Sequence, residues 1–120
     1  MVKIVIPTSD EKGERLSDHF GRAPYFAWFT IEGGSVVDKG IVPNDSEHFG
    51  GVGLPPERIA HLGPDAVVTT GMGMRAINRF QQMNVAVLQA RSPRSEENID
   101  LFVKGELLEL TEGCLHAREH

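Results

Sequence analysis

Residues 65–103 alternate between strand-like and helix-like segments, and this alternation limits the fold more than any other feature. The runs at 65–70 and 85–88 are short, apolar and rich in β-branched residues, as buried strands are. Between them, residues 74–83 carry apolar side chains at helical spacing, and residues 95–103 form a second helical segment. Strands that alternate with helices predict an open α/β sheet with parallel strands.

The first part of the sequence adds a strand and a hairpin. Residues 2–6 form an apolar run that Pro7 is predicted to end, and residues 26–31 and 36–42 flank a Gly-Gly turn. The hairpin predicts one antiparallel strand in an otherwise parallel sheet that helices cover. Residues 54–62 are typical of a short helix with proline in its first turn, and Ser95 is predicted to cap the last helix.

Composition indicates a single domain that does not bind nucleic acid. With 120 residues, we expect one α/β domain over residues 1–107 and a polar tail over 108–120. The net charge of −5 and the scattered basic residues argue against nucleic acid as a partner. The longest apolar runs are far shorter than a membrane span and no signal peptide is visible, so we expect a cytoplasmic protein without a membrane partner.

Cys114 is the single cysteine of the chain. One thiol cannot form an intrachain disulfide or supply a four-cysteine zinc or iron–sulfur site. A metal cluster would therefore depend mainly on His, Met, Arg and backbone N–H groups, or on two chains together. Cys114, His116 and His120 have the ligand types of a soft-metal site, and the alternative is a frayed terminus with accidental ligands.

The sequence DHFGRAPYF, residues 18–26, lies in a loop that leaves the carboxyl end of the first strand. Open α/β sheets bind ligands at this edge. His19 can ligate a metal or donate to an anion, and Arg22 can bind oxyanions or thio-anions. The alternative is that Phe20 and Tyr25 close the edge of the sheet while His19 and Arg22 are solvated.

Two glycine-rich segments could contribute to the same edge. Residues 47–53 repeat the His-Phe-Gly theme before a predicted helix, and the candidate residues there are His48, Gly50 and Gly51. Residues 71–76 follow a strand and open a helix, where Gly73 and Arg75 could bind an anion. Met72 could add a soft thioether contact to a sulfide-rich ligand, and the alternative is that it fills the core. This second segment also fits a dinucleotide fingerprint, with Arg91 available to an NADP 2′-phosphate. We find no catalytic constellation and expect no enzyme activity.

Five segments stand in the order KIVIPTSD, DHFGRAPYF, HFGGVG, DAVVTTGMGMRA and FVKGEL. Together they resemble the dinitrogenase iron–molybdenum cofactor biosynthesis family, of the NifX and NifB C-terminal type, over about residues 3–107. The resemblance implies a ribonuclease-H-like, three-layer α/β/α fold with a mixed five-stranded sheet. One branch of that family, the orange protein, carries a molybdenum–copper sulfide cluster without covalent attachment.

The resemblance implies non-catalytic binding and carriage of a metal–sulfur cluster or its precursor. A molybdenum–copper sulfide is most favoured, with iron–sulfur or iron–molybdenum precursors as alternatives. We expect unidentified client or assembly proteins and a monomer or weak dimer. The predicted cluster-binding residues are His19, Phe20, Arg22, Tyr25, His48, Gly50, Gly51, Met72, Gly73 and Arg75, and the predicted metal ligands are His19, His48, Cys114 and His116. The remaining alternatives are a nucleotide- or phosphate-binding domain that uses residues 71–76 and a regulatory domain without a ligand.

Overall fold

A five-stranded mixed sheet forms the centre of the computed structural model, which describes residues 1–18, 20, 22–44 and 59–110. The strands are β1 Val2–Thr8, β2 Tyr25–Glu32, β3 Ser35–Pro43, β4 Ala66–Thr69 and β5 Ala86–Gln89, and two helices, α1 Met74–Gln82 and α2 Ser95–Val103, follow β4 and β5. All seven elements were predicted, with ends within two residues of those observed. Residues 59 and 60 are helical, and residues 54–58 of that predicted helix lie outside the described residues.

The strand order is β3-β2-β1-β4-β5. β2 is antiparallel to both β1 and β3, whereas β1, β4 and β5 are parallel to one another. β2 is thus the one strand of this sheet that runs against the other four, which confirms the predicted mixed sheet. The ribonuclease-H-like arrangement stays a prediction with which this order is consistent.

The first strand does not end at Pro7, contrary to the sequence prediction. β1 continues to Thr8, and Pro7 pairs in register with Phe26 of β2. β4 pairs with β1 only at Ile4 and Val5, so the missing N–H of Pro7 removes no bond from that ladder. The carbonyl oxygen of Pro7 accepts a hydrogen bond from the backbone N–H of Ser17. At Pro7, the loop between β1 and β2 therefore pairs with the side of β1 that β4 does not reach.

Two apolar cores lie on opposite faces of the sheet. Alternate residues of each strand point to opposite faces, so Val5 enters one core while Ile4 and Ile6 enter the other. Ile77 and Phe80 of α1 belong to the first core. Ile99 and Phe102 of α2 contribute to the second. The described residues thus form the helix–sheet–helix layers that the sequence predicted.

The C-terminal segment extends the sheet beyond residue 107. The N–H of Gln89 donates to the carbonyl oxygen of Leu108 at 2.8 Å, and the N–H of Leu110 donates to that of Val87 at 2.8 Å. Residues 108–110 therefore lie along β5. In the described part of the chain, neither helix is long and apolar enough to cross a membrane.

Asn98, rather than Ser95, organises the start of α2. The fully buried Asn98 side chain accepts the backbone N–H of Arg91 and donates to the carbonyl oxygens of Ser92 and Arg94. Arg94 occupies the N-cap position without a side-chain cap. Ser95 is the first helical residue, and its buried hydroxyl has no hydrogen-bond partner among the described residues. The predicted Ser95 cap is wrong because Asn98 already holds the preceding loop.

We predict that Asn98→Ala lowers the free energy of unfolding by about 2–3 kcal/mol, because it removes a fully buried side chain and leaves part-buried backbone groups of residues 91, 92 and 94 without that partner. Chemical denaturation monitored by circular dichroism measures the change. Asn78→Ala is the matched control, since Asn78 is exposed on α1, and it should change stability by less than about 0.5 kcal/mol. Equal effects of the two substitutions would contradict the role of Asn98.

Candidate functional site

The loops that carry the predicted site residues meet at one edge of the sheet. β1, β3, β4 and β5 share a direction, so their carboxyl ends lie at this edge, where β2 also begins. We call this edge the rim; its described residues are Ser17, Asp18, Phe20, Arg22, Ala23, Pro24, Tyr25, Asn44, Gln89 and residues 70–75. Open α/β sheets place ligands at such an edge, in the crevice beyond the strand ends.

Thr70 joins the loop between β1 and β2 to the segment that follows β4. Its hydroxyl group lies 3.3 Å from the carbonyl oxygen of Ser17 and 3.3 Å from that of Asp18. The Nε2 atom of Gln89 donates to the carbonyl oxygen of Thr70 at 2.8 Å. The ends of β4 and β5 are thereby tied to the segment that leads into the His-Phe-Gly-Arg loop.

Asn44 joins the start of the segment that follows β3 to the loop between β1 and β2. The buried Asn44 side chain donates from Nδ2 to the carbonyl oxygen of Ala23 at 2.7 Å, and its backbone N–H donates to that of Pro24 at 2.9 Å. Residues 45–58 follow directly and lie outside the described residues. The predicted candidates His48, Gly50 and Gly51 belong to that segment, and His19, Cys114 and His116 are also outside the described residues.

Phe20 and Met72, both predicted to contact a ligand, lie in the core beneath the rim. Their exposed fractions are 5% and 3%. The Phe20 ring makes an edge-to-face contact with Phe80 at 5.4 Å between centroids and a tilted contact with Phe26 at 5.8 Å. Such packing anchors the two loops to α1 and β2. Both side chains thus hold the rim in position from below.

The other predicted residues of the described rim are accessible. Arg22, Gly73 and Arg75 are exposed, and Tyr25 is half-buried at the start of β2. The three ion pairs found between described residues involve Lys39, Arg91 and Arg94, so neither Arg22 nor Arg75 has an acidic partner within the described chain. Two guanidinium groups are therefore available to an anion at this edge.

The start of α1 offers further positive potential. Gly73 occupies its N-cap without a side-chain cap, and its first turn contains no acidic residue, whereas α2 carries Glu96 and Glu97 in its first turn. Uncapped N–H groups at a helix start attract anions. A Cβ atom added at Gly71 or Gly73 would meet no atom of the described residues within 4 Å. Among those residues, this turn is therefore not crowded.

Three further observations bear on the predicted ligands. Met74, next to Gly73, is 42% exposed and so presents a thioether at the rim that Met72 does not. Arg91, the candidate for a 2′-phosphate, lies with Nη1 3.9 Å from the Glu106 carboxylate and 3.5 Å from the Glu106 carbonyl oxygen. No three His, Cys, Asp or Glu side chains within the described ranges converge on a point where they could hold a metal ion.

Asp10 holds the outer part of the loop between β1 and β2. Its carboxylate accepts the backbone N–H groups of Glu14 and Arg15, the latter at 2.9 Å. Partial burial raises the pKa of Asp10, but the hydrogen bonds from Arg15 and Glu14 outweigh this and place the pKa below its ordinary value. The charged form therefore stabilises the loop.

The comparison with known families gives a single clear result. The sequence model of the family described as dinitrogenase iron-molybdenum cofactor matches residues 1–105, nearly the whole chain. This protein belongs to that family. Membership relates it to cofactor biosynthesis and confirms the resemblance that the five sequence segments indicated.

Relatives and solved structures agree with this membership. A protein of Methanocaldococcus jannaschii is 33% identical over 109 residues, which cover 89% of this chain and 90% of that protein. A NifB-like protein from Thermotoga is 27% identical, with a TM-score of 0.73 and full coverage of both chains. The apo form of the orange protein from Desulfovibrio gigas has a TM-score of 0.80 over 93% of this chain and 95% of its own. At 17% identity, that last likeness shows the fold alone.

Sequence reasoning missed three residues that assemble the rim. Thr70, Asn44 and Gln89 each stand at or just beyond the carboxyl end of a strand. Thr70 and Asn44 donate hydrogen bonds to the loop between β1 and β2, and Gln89 donates one to the residue after β4. Polar residues at that position are a recognisable signal in an α/β sheet. Their partners are far away in sequence, so the signal identifies the residues but not the bonds.

We predict that Thr70→Val loosens the rim while the fold persists, because valine keeps the shape and removes the hydroxyl. The free energy of unfolding should fall by about 1 kcal/mol, the usual loss for one hydrogen bond. Amide hydrogen exchange should accelerate at residues 17–23 and stay unchanged in α2. Uniform acceleration over both regions would contradict a local role of Thr70.

We predict that the stabilisation from Asp10 is present above pH 3.8, its ordinary pKa, and is lost as the pH falls through the lower folded-state pKa. The difference in unfolding free energy between wild type and Asp10→Asn should therefore be largest at about pH 6. It should disappear between about pH 4 and 2, where the carboxylate becomes neutral. Denaturation curves at several pH values measure this. A difference that is independent of pH would overturn the assignment.

Proposed function

We propose that this protein binds and carries a metal–sulfur cluster, or a precursor of one, at the rim and performs no catalysis. The observation that carries the proposal is the rim itself: Arg22 and Arg75 are exposed and have no acidic partner among the described residues, and Arg75 lies in the first turn of a helix whose start is uncapped, on a chain of net charge −5. Family membership over residues 1–105 supports the same class of cargo.

The chemistry of these donors fits a thiometallate cluster. Such a cluster is a soft, delocalised anion, so positive charge and N–H donors can hold it without covalent ligands. Arg22 and Arg75 would supply the charge, and the N–H groups at the start of α1 would donate to sulfur. Exposed Met74 adds a soft thioether contact. Among the described residues, the turn at Gly71 and Gly73 is not crowded, which would let the cargo approach the backbone.

Buried residues would serve this function indirectly. Phe20 and Met72 fix the loops from the core, and Thr70 and Asn44 hold those loops together by hydrogen bonds. We assign the half-buried Tyr25 to the exclusion of water at the rim. The proposal keeps six further candidate contacts that the sequence predicted and that lie outside the described residues: His19, His48, Gly50, Gly51, Cys114 and His116.

Among clusters, we favour a molybdenum–copper sulfide and keep iron–sulfur or iron–molybdenum precursors as alternatives. The single cysteine of the chain supports a cargo held without thiolates, because a cluster already rich in sulfide needs few protein sulfur ligands. Unidentified client or assembly proteins would receive the cargo.

A second candidate function is the binding of NADP or a similar phosphate at residues 71–76. The uncapped start of α1 supports it, since this is where a Rossmann pyrophosphate lies. The contacts between Arg91 and Glu106 disfavour it, because a 2′-phosphate would have to compete with that carboxylate. The cluster is therefore the preferred ligand.

Titration of the whole protein with tetrathiomolybdate plus copper should produce a charge-transfer band in visible light and quench Trp28, the single tryptophan of the chain. We predict that Arg22→Ala and Arg75→Ala each lower the affinity about ten-fold, because each removes a charge-assisted hydrogen bond. Lys104→Ala is the control, since it removes one exposed positive charge just after α2 and should leave the affinity unchanged.

A parallel titration with NADP separates the two functions. Cluster carriage predicts no saturable binding of NADP. Saturable NADP binding that Arg75→Ala abolishes, together with full cluster loading of both arginine variants, would overturn the proposal. The iron-based precursors are tested by the same variants with an iron–sulfide mixture in place of tetrathiomolybdate.

A further inference from the structure

A groove lies between β3 and α2, on the face of the sheet that carries the second core. Its volume is about 570 Å³, and its lining residues are Phe29, Val36, Val37, Asp38, Lys39, Glu96, Ile99 and Asp100. This volume is within the roughly 300–1,000 Å³ of ligand-sized clefts. The rim residues do not line it, so it is separate from the proposed cluster site. We call it the acid-lined groove.

The groove combines an apolar floor with accessible apolar walls. Phe29 and Ile99 are 5% and 3% exposed and form the floor. Val36 and Val37 on β3 are 42% and 54% exposed and form accessible walls. An apolar side chain of a partner that covers these valines would remove apolar surface from water, which favours binding.

The charges around the groove favour a positively charged partner. Three of its lining residues are acidic and one is a lysine, so the lining carries two excess negative charges. Lys39 lies 3.9 Å from Glu96, and both side chains are largely exposed. Glu96 thus has a cation beside it, whereas Asp38 and Asp100 have no basic partner among the ion pairs of the described chain.

The outer edge of β3 has at least one backbone group that is not available to a further strand. β3 is the last strand of the described sheet on this side. The Asp38 carboxylate, however, accepts the backbone N–H of Lys39 at 2.9 Å, which occupies a group that an added strand would need. Side-chain insertion therefore suits this surface better than extension of the sheet by a partner strand, and charged edge residues commonly oppose such extension.

We infer that the acid-lined groove binds a basic segment of a partner protein, which lays one aromatic or aliphatic side chain over the floor of Phe29 and Ile99 and pairs flanking Lys or Arg residues with Asp38 and Asp100. The acidic lining favours a basic partner, and the apolar floor favours an aromatic or aliphatic side chain over a polar one. An acidic segment would lose the charge contacts, and a segment without a large apolar side chain would lose the contact with the floor.

Three acetylated and amidated tripeptides test this inference on the full chain, with amide chemical shifts of ¹⁵N-labelled protein as the readout. Arg-Phe-Arg should shift the amides of Val36, Val37 and Ile99 in a saturable manner. Arg-Ala-Arg tests the apolar contact and Glu-Phe-Glu tests the charge, and each should bind at least about five-fold more weakly, since each lacks one of the two contributions.

Two charge-reversal variants complete the test. Asp100→Lys should weaken Arg-Phe-Arg about three-fold or more and improve Glu-Phe-Glu, whereas Glu109→Lys, an equal change of net charge at an exposed residue outside the groove lining, should alter neither. Equal binding of the three peptides, shifts confined to the rim, or equal effects of the two variants would overturn the inference. No arm needs a bound cluster, so failure here leaves the function of the rim untouched.

Discussion

The pairing of β1 with two different neighbours is the constraint on which the rest of this protein depends. β1 is antiparallel to β2 on one side and parallel to β4 on the other, so it joins the hairpin half of the sheet to the strand–helix half. Ile4, Val5 and Ile6 are fully buried because the strand feeds both cores in alternation. Without this strand, neither α1 nor α2 would have a complete face to cover.

The same strand explains why the rim exists. The chain leaves β1 at Thr8, pairs back at Leu16 in one core, crosses the edge of the sheet and enters the other core at Phe20. The crossing brings Phe20 and Arg22 to the edge where the carboxyl ends of the strands lie. Thr70 and Asn44 then bind the crossing segment from two sides. In the proposed function, affinity for an anion would come from accessible arginines and N–H groups on a support that buried aromatic packing fixes.

The two surfaces of the protein have opposite chemistry, although the chain is acidic overall. The rim presents Arg22 and Arg75 without acidic partners in the described chain, whereas the acid-lined groove presents Asp38 and Asp100 without basic ones. The lining of the groove contains none of the rim residues. Under the two proposals, cargo and protein partner would therefore bind at different sites and need not compete for one.

The sequence by itself determined the seven elements and the class of the sheet, because strand and helix periods are local properties of the chain. It also indicated the family, since the five segments are read directly. Only the tertiary structure decided that Phe20 and Met72 point into the core while Arg22, Met74 and Arg75 stay accessible. It also showed that Arg94 rather than Ser95 is at the N-cap and that the Asn98 side chain holds the preceding loop. Loop side chains have no period, and their direction follows from bonds between residues distant in sequence, such as Thr70 and Ser17.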